Sequence, residues 1–80
     1  SVAVAQSGNT YSIILKDFGP NKVKVIKYVK EYLQIGLKEA HDMVQSAPVT
    51  IKENVPEKEA KEVAAALEEI EAKVELKKAK

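Results

Sequence analysis

Val23 stands among lysines in the stretch Asn21 to Ser46, NKVKVIKYVKEYLQIGLKEAHDMVQS. At 100° per residue, Val25, Val29, Tyr32, Leu33 and the ring of Tyr28 fall on one broad apolar side of a helix. The opposite side carries Lys24, Lys27 and Lys30, with Val23 in their middle and Ile26 at the margin. Lysines on a helix ordinarily serve solubility, and that reading needs no valine between them. An apolar spot ringed by ammonium groups suits an acidic partner that also brings a small hydrophobic centre.

Other chemistry is poorly provided for. His41 is the single histidine, and neither a cysteine nor a suitably spaced serine accompanies it. A lone histidine on a helix flank is ordinarily a surface residue. The glutamates of the C-terminal half spread over a solvated helix face without the convergent pair that acid–base catalysis needs. His41 with Glu39 or Asp42 does not make a metal set, and Gly8, Gly19 and Gly36 are too scattered for a phosphate loop. Neither an enzyme nor a cofactor is expected.

Composition narrows the choice further. Eighty residues, 45% hydrophobic and 31% charged, make one small folded domain held by packing alone, since cysteine is absent. No apolar run approaches the ~18 residues of a membrane span. The net charge of +1 hides a division. Residues 11–36 carry a local +3, residues 53–72 a local −5, and residues 73–80 again +3. Without arginine there is no bidentate reader of bases, and the acidic helix would repel a phosphate backbone. Direct nucleic-acid binding is therefore the weaker reading.

The elements that must position the lysine face follow from periodicity. Tyr11, Ile13 and Leu15 alternate with Ser12, Ile14 and Lys16 as a half-buried strand. Asp17 to Asn21 is turn chemistry, with Asn21 able to cap a helix over Lys22–Leu33. Gln34-Ile35-Gly36 breaks that helix, and a second runs over Leu37–Gln45 with Leu37, Ala40 and Val44 as its core stripe. Met43 lies at the edge of the stripe, and Lys38 and Asp42 form an i,i+4 pair outside it. Pro48 ends this helix. Val49 and Ile51 alternate with Thr50 and Lys52 as a second strand. Asn54 tolerates a left-handed turn, and Pro56 suits the first position of a third helix with the stripe Ala60, Val63, Ala66, Leu67 and Ile70. Val74 and Leu76 mark a third strand. The class is α+β in the order β-α-α-β-α-β, with three helices on one face of a three-stranded, mostly antiparallel sheet. The other face, with Ser12, Lys16, Thr50, Lys52, Glu75 and Lys77, should be wet. Residues 1–10 read as a linker, 11–77 as the globular unit and 78–80 as a tail.

The stretch NKVKVIKYVKEYLQIGLKEAHDMVQSAP resembles the C-terminal domain of the bacterial-type ribosomal stalk protein. The likeness continues into YSIILK before it and IKENVP and AALEEIEAKVELK after it, spanning Tyr11 to Lys77. It implies the same fold, a place on the ribosome in bacterial cytosol or in an organelle, and a flexible hinge leading to an N-terminal dimerising domain on the stalk base. It also implies a two-helix face that recruits translational GTPases, among them elongation factors Tu and G, initiation factor two and release factors, through their GTP-binding domains. The matching positions are Lys22, Val23, Ile26, Lys27 and Lys30 on helix one, and Gly36, Leu37, Lys38, Glu39 and His41 around helix two. For Gly36 an ordinary turn glycine, needing positive φ or close helix approach, is the competing reading.

Some residues depart from the family. Lys30 replaces a usual arginine and His41 a usual lysine, while Lys24 stands where a small apolar residue is common. Gln34 and Glu71 replace glycines at helix ends. These changes keep the face basic and bear on affinity and partner preference. The runner-up reading is a peptide-binding adaptor, since the adaptor of the bacterial Clp protease shares the general architecture. The acidic pocket by which that family holds basic peptide termini is not evident. As a fragment without the dimerising domain, the chain is expected to be a monomer.

Overall fold

The computed structural model describes residues 10–78 of the chain. Its elements are β1 (Thr10–Asp17), α1 (Lys22–Leu33), α2 (Leu37–Gln45), β2 (Val49–Pro56), α3 (Glu57–Glu69) and β3 (Lys73–Lys78). The strand order is β2-β1-β3, and β1 pairs antiparallel with both neighbours. This is the α+β, two-layer β-α-α-β-α-β arrangement that the periodicity predicts, with the sheet antiparallel throughout. Thr10 and Lys78 are strand residues at positions expected for linker and tail. The remainder of both segments lies outside the described residues.

Alternation in β1 sends Ile13 and Leu15 into the core at 0% exposure, while Lys16 stays outside, 3.3 Å from Glu75 of β3. Against them pack Val25, Ile26 and Val29 of α1, Ala40 and Val44 of α2, and Ala60, Val63 and Leu67 of α3. Burying each large aliphatic side chain contributes about 1.5–3 kcal/mol, an amount that an 80-residue chain needs from several of them at once.

The third helix shows a small rotation from expectation. Its buried residues are Ala60, Val63, Ala64 and Leu67, a stripe at i, i+3, i+4 and i+7. Ala66 and Ile70, both expected in the stripe, are only half-buried because the arc facing the sheet is centred one residue earlier. Pro56 is the residue before the helix, with φ −57° and ψ 149°, and not its first turn; β2 runs up to it. That strand is longer than Val49–Lys52 because it resumes after an irregularity. Ile13 faces Lys52 whereas Tyr11 faces Val55, so β2 spends an extra residue there, and Asn54 takes φ 58° within it. The bulge returns Val55 to the core at 1% exposure.

Four further positions lie at helix ends. Gln34 adopts φ 56° and ψ 49° after α1, and the Ile35 amide donates to the Lys30 carbonyl at 3.2 Å. Glu71 adopts φ 67°, with Ala72 N donating to Leu67 O at 3.0 Å and Glu71 N to Glu68 O at 2.9 Å. Both are left-handed helix terminations of the kind glycine favours, which accounts for the glycines that the resemblance places there. Gly36, in contrast, has φ −72°, and a Cβ on it would meet nothing within 4 Å. Neither positive φ nor close approach requires that glycine. Asn21 does not cap α1 with its side chain. Its Nδ2 donates instead to the Ile70 carbonyl at 3.2 Å, satisfying an acceptor at the end of α3.

Candidate protein-docking site

Two helices joined by the turn at Gln34–Gly36 form a hairpin whose outer side opens into a groove of about 650 Å³. From α1 come Val23, Ile26, Lys27, Lys30 and Glu31, and from α2 come Leu37, Lys38 and His41. The spacing explains the assembly: Val23, Ile26, Lys27 and Lys30 recur at i, i+3, i+4 and i+7 along one side of α1. Leu37 and Lys38 in the first turn of α2 and His41 in the next line the groove opposite them.

Leu37 differs from its expected place in the core stripe of α2. It is 62% exposed, and with Val23 at 78% it is one of the two large hydrophobic side chains open to solvent among the described residues. Ala40 and Val44 are the buried residues of α2, and Leu37 at its first position instead lines the groove. Ile26, placed at the margin by periodicity, is 6% exposed and joins the floor of the groove to the core.

The remaining candidates lie around the groove, not in it. Lys22 is held at the open end of the hairpin, where its Nζ lies 5.1 Å from the Phe18 ring centroid and donates to Gln45 Oε1 at 3.2 Å. Gly36 caps α2, and its amide donates to Glu39 Oε1 at 3.3 Å, so Glu39 folds back on the helix start. Glu31 was not among the sequence candidates and does line the groove. Its position one turn after Lys27 was the available signal.

The charge around the groove is mostly positive, with Glu31 its one carboxylate. Among the described residues no ion pair within 4.0 Å engages Lys27, Lys30 or Lys38, so three ammonium groups are available around an apolar floor. Asp42, expected beside Lys38, lies instead 3.8 Å from Nδ1 of the half-exposed His41. The other side of α1 is differently built. Tyr28 and Tyr32 stack with centroids 6.1 Å apart, and the Tyr32 hydroxyl donates to Glu59 Oε2 at 2.6 Å. Burial, followed by this hydrogen bond to Glu59, raises the Tyr32 phenol above the usual range. Burial and the charges of Glu59 and Glu62 raise Tyr28. Between Tyr28 and α3 lies a smaller depression of about 240 Å³, reached by Lys24, Lys27, Glu31, Ala66 and Ile70.

On this small α+β domain, then, cations stand around two exposed aliphatic side chains on one side of the α1–α2 hairpin. Residues 11–77 match the model of the ribosomal protein L7/L12 C-terminal domain, and the chain belongs to that family. It is 47% identical over 75 residues to the large ribosomal subunit protein bL12 of Thermoanaerobacter sp. (strain X514), covering 94% of this chain and 60% of that one. To bL12 of Dictyoglomus thermophilum it is 48% identical over 77 residues, covering 96% and 62%. To bL12 of Geobacillus stearothermophilus it is 52% identical over 67 residues, covering 84% and 55%. The chain thus spans between 55% and 62% of the length of these curated relatives.

Proposed function

We propose that this chain is a ribosomal stalk domain that recruits translational GTPases to the large subunit and supports their GTP hydrolysis, without catalysing a reaction of its own. The observation that carries the reading is the convergence of Val23 and Leu37 on one groove with Lys27, Lys30 and Lys38 around it. Membership of the L7/L12 family supports the ribosomal setting. In this reading residues 11–77 are the globular unit, joined through residues 1–10 to a dimerising domain that anchors it on the ribosome. Elongation factors Tu and G, initiation factor two and release factors dock their GTP-binding domains on the α1–α2 face. The acidic α3 lies off that face, and direct nucleic-acid binding has no part.

An NMR titration of the isotope-labelled domain tests it. GTP-bound elongation factor G is expected to shift amides of Val23 to Lys30 and Leu37 to His41. Duplex RNA at the same ionic strength is expected to shift none of them. Shifts centred on the outer sheet face, or produced equally by RNA, would overturn the reading.

A further inference from the structure

Glu31 is the one carboxylate on the rim of the α1–α2 groove, and it also lines the depression between α1 and α3. It is exposed, and among the described residues it forms no ion pair within 4.0 Å. Lys27 stands one turn away and Lys30 is its neighbour in sequence, yet neither is engaged. In the free domain the carboxylate is left to water on the crest of α1, between two apolar-floored hollows.

A partner laid across α1 changes that environment. Taking an unpaired carboxylate out of water is costly, and the penalty falls on the complex alone. A partner segment carrying only acidic and apolar groups would meet Lys27, Lys30 and Lys38 well and be opposed at Glu31 by desolvation and like-charge repulsion together. A cation at that point removes both penalties and fixes the register of the docked segment, since one negative site among positive ones can be matched in one alignment only.

We propose that Glu31 receives a single cationic side chain of the docked partner, whose contacting segment presents carboxylates to Lys27, Lys30 and Lys38 and one lysine or arginine opposite Glu31. This rests on the α1–α2 face being the docking surface, and it adds the charge order of the element that docks there. The consequence is opposite in sign to that of bulk charge. Were the partner segment uniformly acidic, removing a negative charge from this rim would tighten binding.

The test measures affinity for GTP-bound elongation factor G, at low and at moderate salt, with Glu31→Gln, Glu31→Lys and Lys27→Glu, each accompanied by a thermal melt. Glu31→Gln is expected to weaken binding about threefold, as loss of a partly exposed ion pair does, and Glu31→Lys to weaken it further, with melts like the parent's. If Lys27→Glu weakens binding while Glu31→Lys tightens it or leaves it unchanged, docking stays on this face and the cation is overturned. If all three variants bind like the parent, the docking reading and the cation fall together.

Discussion

The carbonyl oxygen of Glu71 occupies the space that a Cβ on Gly19 would need, so the turn before α1 and the turn after α3 meet backbone to backbone at this point. Gly19 has φ 71° and Glu71 φ 67°, and the Gly19 amide is fixed by a hydrogen bond to Asp17 Oδ1 at 3.0 Å. Asn21, two residues on, reaches the Ile70 carbonyl across the same junction. The start of the α1–α2 hairpin is thereby tied to the end of the acidic helix.

Gly19→Ala is therefore expected to be severely destabilising. A left-handed alanine costs about 1–2 kcal/mol before any collision, and here the obstacle is backbone that cannot rotate away. Each kcal/mol lowers the melting temperature of a domain this size by about 4–8 °C. A thermal melt should show a fall of about 8 °C or more. A melt like the parent's would mean that the two turns part freely.

Glu71→Gly should act in the other direction. Glycine relieves the left-handed strain at φ 67° while keeping the two backbone hydrogen bonds that close α3. The gain is about 1 kcal/mol, read as a higher melting temperature by about 4–8 °C. Gln34→Gly, at φ 56°, should do the same for α1. A lowered melting temperature for Glu71→Gly would mean that its side chain makes a contact worth more than the strain.

How much was legible in the sequence can be judged at particular residues. Period-2 alternation at Ile13 and Leu15 and 3.6-residue spacing at Val25 and Val29 each name a buried face without help from the fold. Helix stops at Gln34 and Glu71 were readable because the resemblance supplied glycines there. Val55 was hidden because the bulge around Asn54 shifts the strand's alternation, and a bulge leaves no period behind it. Leu37 shows the limit in the site. Periodicity aligns it with Ala40 and Val44, but whether the first turn of α2 reaches the sheet is set by the hairpin's placement, which no local pattern encodes. Glu31 was passed over for a related reason: its neighbours in the groove come partly from α2.

Leu67→Ala should badly weaken the fold. Leu67 is fully buried, and truncating such a leucine costs about 2–5 kcal/mol from a total of roughly 5–15 kcal/mol. Chemical denaturation should show a lower midpoint that, multiplied by an unchanged slope, gives a loss of that size. A loss below about 1 kcal/mol would indicate that neighbouring side chains close the cavity.

The Tyr32 phenol gives an alkaline signature. Its pKa is raised in the folded state, by burial first and then by the hydrogen bond to Glu59, above the unfolded value of about 10. The folded state therefore holds a proton that the unfolded chain releases. The associated stability is complete below about pH 10 and is lost as pH rises towards the folded-state value. Melting temperatures between about pH 8 and 12 should fall more steeply for the parent than for Tyr32→Phe, which lacks the group. Equal slopes would show that Tyr32 titrates normally in the fold.

Val23, Lys27 and Lys77 separate the proposed recruitment from folding. Val23 is 78% exposed, Lys27 is exposed on the same groove, and Lys77 is exposed on β3. Substitutions at such positions move stability by less than about 0.5 kcal/mol, so Val23→Ser, Lys27→Glu and Lys77→Glu should all melt like the parent. Binding to GTP-bound elongation factor G should divide them. Lys27→Glu would set a negative charge against the acidic partner proposed, slowing association and reducing its dependence on salt. Val23→Ser removes the apolar centre and acts chiefly by speeding dissociation, as loss of buried contact area does. Lys77→Glu changes the net charge by as much as Lys27→Glu but lies outside the groove, and it should bind like the parent. Rates measured at two salt concentrations give all three comparisons at once. Equal weakening by Lys77→Glu and Lys27→Glu would reduce the effect to overall charge and remove the groove between α1 and α2 as the docking site.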